Sequence, residues 1–385
     1  MGTNKVKKVA ILTLPIHSNF GFIMQLYALQ KALAKLGYDA STIQLKEEPI
    51  TLNQRISYFI KSFGVKYILR RNGDPFRHFP NKKEIELINS NTWDFINRYC
   101  KLTKYISSIK KLPEIVDDYD VFIVGSDQVW RKRYSLDIPT YFFSFLPERK
   151  KRLAYAASFG ISNNDYGASL TSKCRELLSK FEGVGVRESD AVNLCKDFFS
   201  IEAQQVLDPT MLLGKEDYEK LIEPEKVSGV PKEKYLLAYI LDQTSEKEII
   251  AEKLALKKGL KLYYIKPNDF GRVGAKKIDG CVYPHISTWL YAFNNADYIV
   301  TDSFHGSVFS ILFGKEFTVF RNENRGNSRL ISLMEKLDIK RFCYSESQIE
   351  TEPLLYSKVK EILEREREES FVFLKTALDV RFNTP

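Results

Sequence analysis

Residues 296–310 read ADYIVTDSFHGSVFS, an apolar and β-branched run that passes through small polar residues into an amphipathic pattern. This order is typical of a buried parallel strand that feeds a helix. In an open α/β sheet, such a strand-to-helix corner opens into the crevice where ligands bind. The corner carries His305, and Gly306 behind it lets a ligand approach the backbone closely. An imidazole beside free helix N–H groups can bind an anion and exchange a proton.

The first part of the chain repeats the same strand–turn–helix pattern. Residues 9–14 predict a strand, residues 22–33 a helix that ends before Gly37, and residues 40–45 a second strand. The first turn is not a GxGxxG loop, so no dinucleotide site is indicated. Apolar runs with polar residues at their ends continue the series at 120–130, 152–160, 183–190 and 205–210.

Residues 50–112 interrupt this regularity. They are basic and aromatic, with irregular helical spacing over 56–69 and 83–100. We interpret the stretch as a helical insertion that lies over the cleft or the sheet edge. Its composition also makes it a candidate for peripheral contact with a lipid surface.

A domain boundary is predicted near residues 212–232, where glycines and prolines fall among charged residues. A second series of strands and helices follows it. We therefore predict an α/β protein with two Rossmann-like domains that face a cleft. The predicted parts are residues 1–215 with the insertion at about 50–112, residues 216–350, and a C-terminal helix over 351–385. The charged run within that helix is interpreted as a solvated face.

The composition and charge of the chain indicate which classes of partner to expect. The chain has 385 residues and a formal net charge of +9, and its basic residues are spread rather than clustered. A basic excess favours anionic partners such as phosphorylated metabolites or a membrane surface. No recognition motif accompanies the charge, so a nucleic-acid partner is not expected. No apolar run reaches the roughly 18–20 residues of a membrane span, and the polar N-terminus leads to the expectation of a cytoplasmic protein.

The five cysteines show no pattern of metal or disulfide chemistry. They are widely spaced, without a CxxC pair, so neither a zinc site nor a disulfide framework is predicted. No cluster of Asp, Glu and His residues requires another metal. Neither a GxSxG hydrolase elbow nor a P-loop is present.

Polar residues recur at the carboxyl ends of the predicted strands, where they either line a cleft or cap turns. They are Ser18, Asn19, Ser126, Asp127, Gln128, Ser158, Arg187, Ser303 and His305. The guanidinium of Arg187 could hold a phosphate or carboxylate, or form a salt bridge with Glu188 or Asp190. Residues 321–330 contain Arg325 and Arg329 before a predicted helix, which suggests either a second anion site or ordinary capping.

Four of these segments together resemble the polysaccharide pyruvyl transferase family: SNFG at 18–21 with LYAL at 26–29, VGSDQVW at 124–130, VGVRE at 184–188 and TDSFHG at 301–306. They extend over most of the chain. The resemblance implies a fold like that of the two-domain GT-B glycosyltransferases. It further implies phosphoenolpyruvate as co-substrate, a sugar diol as acceptor, and a cyclic pyruvate ketal and inorganic phosphate as products. The first domain would then hold the acceptor and the second the donor.

The resemblance also implies roles for particular residues. Arg187 and His305 correspond to the donor-site arginine and histidine of the family. Many members have an arginine two residues before that histidine, where this chain has Ser303. Donor anchoring is therefore expected to use Arg325, Arg329 or a basic side chain of the insertion.

On this basis the donor-binding residues are predicted to be Arg187, Ser303, Phe304, His305, Arg325 and Arg329. The catalytic residues are predicted to be His305, as the acid, and Asp127, as a base or hydroxyl partner. The acceptor-binding residues are predicted to be Ser18, Asn19, Ser126, Gln128 and Ser158. Neither a metal nor a further cofactor is expected.

Two other functions are compatible with the same sequence. A nucleotide-sugar-dependent glycosyltransferase would share the architecture, because a fold does not fix the chemistry. A non-catalytic relative that binds glycans or anions is the other alternative. The acceptor is expected to be a sugar of a cell-surface polysaccharide or a lipid-linked oligosaccharide precursor, which would place the enzyme at the inner face of the membrane.

Overall fold

The structure is a computed structural model. It describes residues 6–46, 80–135, 137–267, 278–322, 327–343 and 352–379, together with the isolated positions Ile56, Ser57, Ile60, Phe63 and Tyr67. The predicted helix over 56–69 otherwise lies outside the described residues, as does Arg325.

The first domain is built on a parallel sheet of six strands. They are β1 (Lys8–Leu12), β2 (Asp39–Thr42), β3 (Val121–Val124), β4 (Lys151–Ala157), β5 (Gly183–Val186) and β6 (Gln204–Gln205). Their order in the sheet is β2-β1-β3-β4-β5-β6. Strand β3 is apolar and buried along its whole length, and β4 is also fully buried although it begins with Lys151 and Arg152.

Helices cover both faces of this sheet and form the insertion. They are α1 (Phe20–Lys35), α2 (Lys82–Ile88), α3 (Ser90–Tyr99), α4 (Ala168–Leu178), α5 (Ser189–Phe199) and α6 (Lys215–Glu219). Helix α3 confirms the helical spacing predicted near 83–100. It packs against α1, where the rings of Phe95 and Tyr27 lie 6.0 Å apart.

The second domain has a parallel sheet of five strands. They are β7 (Tyr235–Tyr239), β8 (Lys261–Tyr264), β9 (Tyr298–Thr301), β10 (Phe317–Phe320) and β11 (Phe342–Cys343), in the order β11-β10-β9-β7-β8. Its helices are α7 (Ser245–Lys258), α8 (Ile286–Asn295), α9 (Phe304–Leu312) and α10 (Ser328–Lys336). The two parallel α/β domains predicted from the sequence are confirmed.

The last helix, α11 (Tyr356–Asp379), returns to the first domain. Leu374 and Leu378 are buried in the same apolar cluster as Val9 and Ile11 of β1. Most of the charged run at 361–369 is exposed, but Glu366 is buried and pairs with Lys336 of α10. The helix is therefore amphipathic and ties the two domains together.

The topology places two crevices opposite each other. In the first sheet the strand order reverses between β1 and β3, and in the second between β7 and β9. Ligands of doubly wound sheets bind at such switch points, beyond the carboxyl ends of the strands. Phe20, at the start of α1, stacks on Trp289 of α8 with ring centroids 5.4 Å apart, so apolar packing joins the domains beside these crevices.

The described chain contains no helix that is both long enough and apolar enough to cross a bilayer. Among the described residues, Cys100, Cys174, Cys195 and Cys281 are buried and form no disulfide bond.

Candidate active site

His305 lies in the first turn of α9, directly after β9. Ser303 caps this helix, because its Oγ accepts a hydrogen bond from the backbone N–H of Gly306 at 3.3 Å. A Cβ atom at Gly306 would lie 2.1 Å from Thr301 Oγ1, so only glycine fits there. Ser303, predicted to bind the donor, thus has a local structural role in positioning His305.

The imidazole of His305 crosses the cleft and packs against the first domain. A Cβ atom at Gly21 would lie 2.2 Å from both Cγ and Nδ1 of the ring. Real Cβ contacts are never this short, so the absence of a side chain at Gly21 creates the space for the imidazole. The first turn of α1 and the first turn of α9 therefore meet directly.

Arg187, the residue after β5, is buried among carboxylates. Its NH1 atom donates to Asp208 Oδ2 at 3.0 Å and its NH2 atom to Asp127 Oδ1 at 3.4 Å, while Nε lies 3.9 Å from Glu188 Oε2. Burial would lower the pKa of Arg187, but Asp208, Asp127 and Glu188 raise it. The guanidinium also lies over the ring of Phe304, 4.7 Å from its centroid.

Asp208 connects Arg187 to His305. Its Oδ2 atom accepts a hydrogen bond from Gln25 Nε2 at 2.5 Å and lies 3.8 Å from His305 Nε2. Its Oδ1 atom accepts from the backbone N–H and hydroxyl of Thr210 at 3.1 and 2.7 Å. Burial opposes ionisation of Asp208, but His305 and Arg187 hold the pKa of the carboxyl well below its usual range. Arg187 and His305 thus lie within reach of one shared ligand.

Asp127 is the more accessible carboxylate of the site, with 15% of its side chain exposed. It follows β3 and has a left-handed backbone, with φ of 73°. Burial raises its pKa, but the guanidinium groups of Arg187 and Arg329 lower it further than burial raises it. A carboxylate held by two arginines is a weak base, so the geometry favours a role in accepting a hydroxyl hydrogen bond.

Arg329 reaches the same place from α10. Its NH1 atom lies 4.0 Å from Asp127 Oδ1, and its guanidinium lies 6.0 Å from the centroid of Phe304. Burial, reinforced by the charge of Arg187, lowers the pKa of Arg329 to about 10. Two arginines therefore share one aromatic ring and one carboxylate. We call Arg187, Arg329, His305, Asp127 and Asp208 the charged cluster.

The structure gives the predicted acceptor residues of the first turn local partners. Ser18 Oγ lies 2.8 Å from Thr92 Oγ1 of α3, and Asn19 caps α1 through a hydrogen bond from the backbone N–H of Phe22 at 3.2 Å. Both side chains are therefore engaged in local hydrogen bonds.

The other predicted acceptor residues lie closer to the charged cluster. Ser158 donates to Glu188 Oε1 at 2.8 Å and is fully buried, and Gln128 Oε1 accepts from Arg131 at 2.6 Å. Ser126, beside Asp127, has a buried hydroxyl with no hydrogen-bond partner among the described residues. Of these three, Ser126 has the side chain best suited to a ligand.

Sequence reasoning missed Gln25 and Asp208 as members of the site, and it named Glu188 only as a possible salt-bridge partner of Arg187. Gln25 is a buried amide in an otherwise apolar stretch of α1, and that contrast was a usable signal. Asp208 falls in the predicted strand at 205–210. The observed strand β6 ends at Gln205, and Asp208 instead caps a short 3-10 helix that begins at Pro209. Proline is favoured at the first position of a helix, which fits the place of Pro209 directly after this cap.

The site has unused hydrogen-bonding capacity. Over the described ranges, five buried side-chain atoms in or beside the charged cluster have no hydrogen-bond partner: Gln25 Oε1, Ser126 Oγ, Arg187 Nε, Glu188 Oε2 and His305 Nε2. Buried polar atoms in proteins are nearly always paired, so this concentration of donors and acceptors favours a polar ligand. Among the residues that the structure describes, no group of three or more His, Cys, Asp or Glu side chains is arranged to hold a metal ion.

Comparison with known proteins gives a family and a fold. The family model described as polysaccharide pyruvyl transferase matches residues 19–324. No curated protein matches the sequence. Among solved structures, the chain is similar to Arabidopsis thaliana UGT89C1 complexed with UDP-L-rhamnose, with a TM-score of 0.53, 10% identity and coverage of 97% of this chain and 99% of that one.

A second similar structure is UDP-N-acetylglucosamine 2-epimerase from Rickettsia bellii. Its TM-score is 0.52, its identity 9%, and the match covers 97% of both chains. At these identities the likeness concerns the fold alone. The chain has the GT-B fold, as the family resemblance implied.

Proposed function

The chain belongs to the polysaccharide pyruvyl transferase family, and from that premise we propose that it transfers pyruvate from phosphoenolpyruvate to a sugar diol. The product is a cyclic ketal on a cell-surface polysaccharide or its precursor, and inorganic phosphate is released. One observation carries the proposal: Arg187 of the first domain and His305 of the second converge on the same oxygen of Asp208. A small anion at that point would contact both domains.

Arg187 and Arg329 are suited to exchange their contacts with Asp127 for hydrogen bonds to a bound anion. The contacts of Asp127 with Arg187 and Arg329 are long, at 3.4 and 4.0 Å, and Arg187 Nε has no hydrogen-bond partner among the described residues. A phosphate or carboxylate makes shorter, bidentate hydrogen bonds with a guanidinium. The donor would therefore compete with Asp127 for these groups.

Arg329 takes the place of the arginine that the resemblance expects at position 303. Ser303 is committed to capping α9, whereas Arg329 approaches the ring of Phe304 from α10. The positive charge thus comes from a different element and reaches the same part of the cleft. In this proposal Arg187 and Arg329 hold the phosphate and carboxylate of the donor.

The chemistry begins with protonation of the donor methylene carbon, which leaves an oxocarbenium-like centre at the adjacent carbon. His305 supplies this proton in our proposal, because histidine is the most common general acid of enzymes and its Nε2 atom lacks a hydrogen-bond partner in the described structure. One sugar hydroxyl adds to the centre, the C–O bond to phosphate breaks, and the second hydroxyl closes the ring. The two hydroxyls lose two protons, which balance the one added to carbon and the one that leaves with phosphate.

The acceptor would enter from the first domain. Asp127 accepts a hydrogen bond from a sugar hydroxyl in this arrangement, and the hydroxyl of Ser126 lies beside it in sequence. Ser18, Asn19 and Gln128 would form the surrounding wall. Ser158 acts indirectly, because it holds Glu188 beside Arg187.

The proposal is tested by ³¹P NMR on the full chain with phosphoenolpyruvate and a panel of soluble and lipid-linked glycans. We expect phosphate release that depends on a glycan, and a ketal methyl signal in the product. Parallel reactions contain UDP-sugars in place of phosphoenolpyruvate. Sugar transfer from a UDP-sugar would instead establish the glycosyltransferase alternative. Binding of phosphoenolpyruvate without turnover on any glycan would favour a non-catalytic relative.

A further inference from the structure

Gln25 is a polar residue in the part of α1 that faces the charged cluster. It lies one helical turn after Gly21, whose missing side chain makes room for the imidazole of His305. Only 3% of Gln25 is exposed. Burial of an amide costs free energy unless its hydrogen bonds are made, and Gln25 Nε2 donates one to Asp208 Oδ2 at 2.5 Å. Gln25 therefore acts on the charged cluster through Asp208.

The carboxylate of Asp208 has its hydrogen-bonding capacity filled. Its Oδ2 atom accepts from Gln25 Nε2 and from Arg187 NH1, at 2.5 and 3.0 Å. Its Oδ1 atom accepts twice from Thr210, from the backbone N–H at 3.1 Å and from the hydroxyl at 2.7 Å. An ionised carboxylate offers about four lone pairs, two on each oxygen. These donors use all of them.

His305 is excluded from this set of donors. Its Nε2 atom lies 3.8 Å from Asp208 Oδ2, beyond hydrogen-bond distance, and has no partner among the residues that the structure describes. The charge of Asp208 still acts at this distance, because Coulomb attraction does not require an unused lone pair. Asp208 thus attracts a positive charge on the imidazole without accepting its proton.

We propose that Gln25 is a positioning residue that keeps the Nε2 proton of His305 available to the substrate. Without the amide of Gln25, Asp208 Oδ2 would have a vacant acceptor position 3.8 Å from the imidazole. His305 would move to fill it, since a hydrogen bond between charged groups is about twice as strong as a neutral one. A proton held in that bond is harder to transfer. The catalytic consequence rests on the proposed function, whereas the arrangement of hydrogen bonds does not.

The test compares Gln25→Met with the native full chain and with Gln30→Met. Methionine is unbranched like glutamine but has no amide. Gln30 gives the matched control because it is also a buried glutamine of α1, and it bonds to Thr42 and to the backbone of Lys101 rather than to the charged cluster. Thermal melts establish that both variants are folded.

NMR of the chain labelled with ¹⁵N-histidine detects the hydrogen bond directly, and His305→Gln assigns the signal. We expect no hydrogen-bonded Nε2 proton of His305 in the native chain or in Gln30→Met, and a downfield, slowly exchanging one in Gln25→Met. With phosphoenolpyruvate and an acceptor, kcat should fall about tenfold or more in Gln25→Met, because the catalytic group is misplaced. The KM for phosphoenolpyruvate should change little, since the arginines still hold it, and Gln30→Met should keep native turnover.

A hydrogen-bonded Nε2 proton of His305 in the native chain would overturn the proposal, and this measurement does not depend on the folding of any variant. An unchanged His305 signal in Gln25→Met, or equal effects of the two variants, would overturn it as well. If the native chain shows no turnover with phosphoenolpyruvate, the proposed function fails. The NMR comparison still decides in that case whether Gln25 keeps His305 from bonding to Asp208.

Discussion

Two histidines begin helices of the second domain, and each faces an aspartate of the first. His285 precedes α8 and its Nε2 atom lies 3.3 Å from Asp94 Oδ2, whereas His305 begins α9 and lies 3.8 Å from Asp208 Oδ2. Both side chains are largely buried.

The two pairs differ in how many of the histidine ring nitrogens have hydrogen-bond partners. His285 Nδ1 accepts a hydrogen bond from the backbone N–H of Ser287 at 3.1 Å, so both ring nitrogens are engaged. Asp94 is also paired with Lys226 at 2.7 Å, which lowers its pKa. His305 Nε2, in contrast, has no hydrogen-bond partner in the described structure. The His285–Asp94 pair, whose hydrogen bonds are all made, is suited to hold the domains together, and we call it the saturated pair. The His305–Asp208 pair keeps a ring nitrogen without a partner in the described structure and can bind a ligand.

Replacement of each histidine by glutamine separates the two roles most strongly. His305→Gln should lower phosphate release from phosphoenolpyruvate by about 10² to 10⁴, the usual contribution of a general acid. His285→Gln should leave that rate within a few-fold and mainly lower the melting temperature. The measurement is steady-state turnover with the acceptor found by NMR, alongside thermal melts. Equal losses of turnover in the two variants would remove the distinction between the pairs.

The aspartates provide the next test. Asp208→Asn should lower the free energy of unfolding by about 3 kcal/mol, because it leaves the charge of Arg187 partly uncompensated in a buried site. Asp94→Asn should lower it by less than about 1 kcal/mol, because that ion pair is exposed. Urea denaturation of both variants near neutral pH gives these values.

The pH dependence of the same experiment has a definite sign. Because the pKa of Asp208 is lowered in the folded state, its stabilising contribution is complete above the ordinary value of about 3.9. It is lost as the pH falls from there towards the lowered pKa. Stability should therefore fall less steeply below pH of about 4 in Asp208→Asn than in the native chain. Parallel curves would show that Asp208 is not held ionised as the structure indicates.

The sequence predicted which members of the charged cluster follow the ends of strands. Apolar runs that stop at polar residues identify the carboxyl ends of parallel strands, and Asp127, Arg187 and His305 were found in this way. Asp208 and Gln25 could not be found from strand ends, because their contact depends on how α1 packs against the residues after β6.

Short polar residues limited the prediction in a different way. Ser303, Asn19 and Ser158 occupy corners as expected, but Ser303 and Asn19 cap helices and Ser158 supports Glu188. Such side chains bond to nearby backbone groups as readily as to ligands, and a sequence does not distinguish the two uses. Their predicted roles in donor and acceptor binding stay predictions.

The contact between His305 and Gly21 allows a smaller change at the His305–Asp208 pair, which moves the imidazole without removing it. Gly21→Ala should displace the imidazole or widen the cleft, because its Cβ atom would lie 2.2 Å from the ring. We expect a loss of turnover of about 10- to 100-fold, which is typical of a misplaced catalytic group. Gly214→Ala is the control, since its Cβ atom would meet only the flexible end of Glu216. Native turnover in Gly21→Ala would mean that the position of His305 is unimportant.

The smallest expected effect concerns the saturated pair. Burial lowers the pKa of His285, against the hydrogen bond to Asp94 that raises it, so the unfolded chain binds a proton at His285 more readily than the folded chain. Its contribution to stability is complete above the ordinary histidine value of about 6.5 and is lost as the pH falls below it. His285→Asn retains a capping oxygen but does not titrate. Between about pH 7 and 5.5 the unfolding free energy of this variant should fall less steeply than that of the native chain. The two slopes should differ by less than about 1.4 kcal/mol per pH unit, the most that one titrating group can contribute. A steeper fall in the variant would show that protonation of His285 stabilises the contact between the domains.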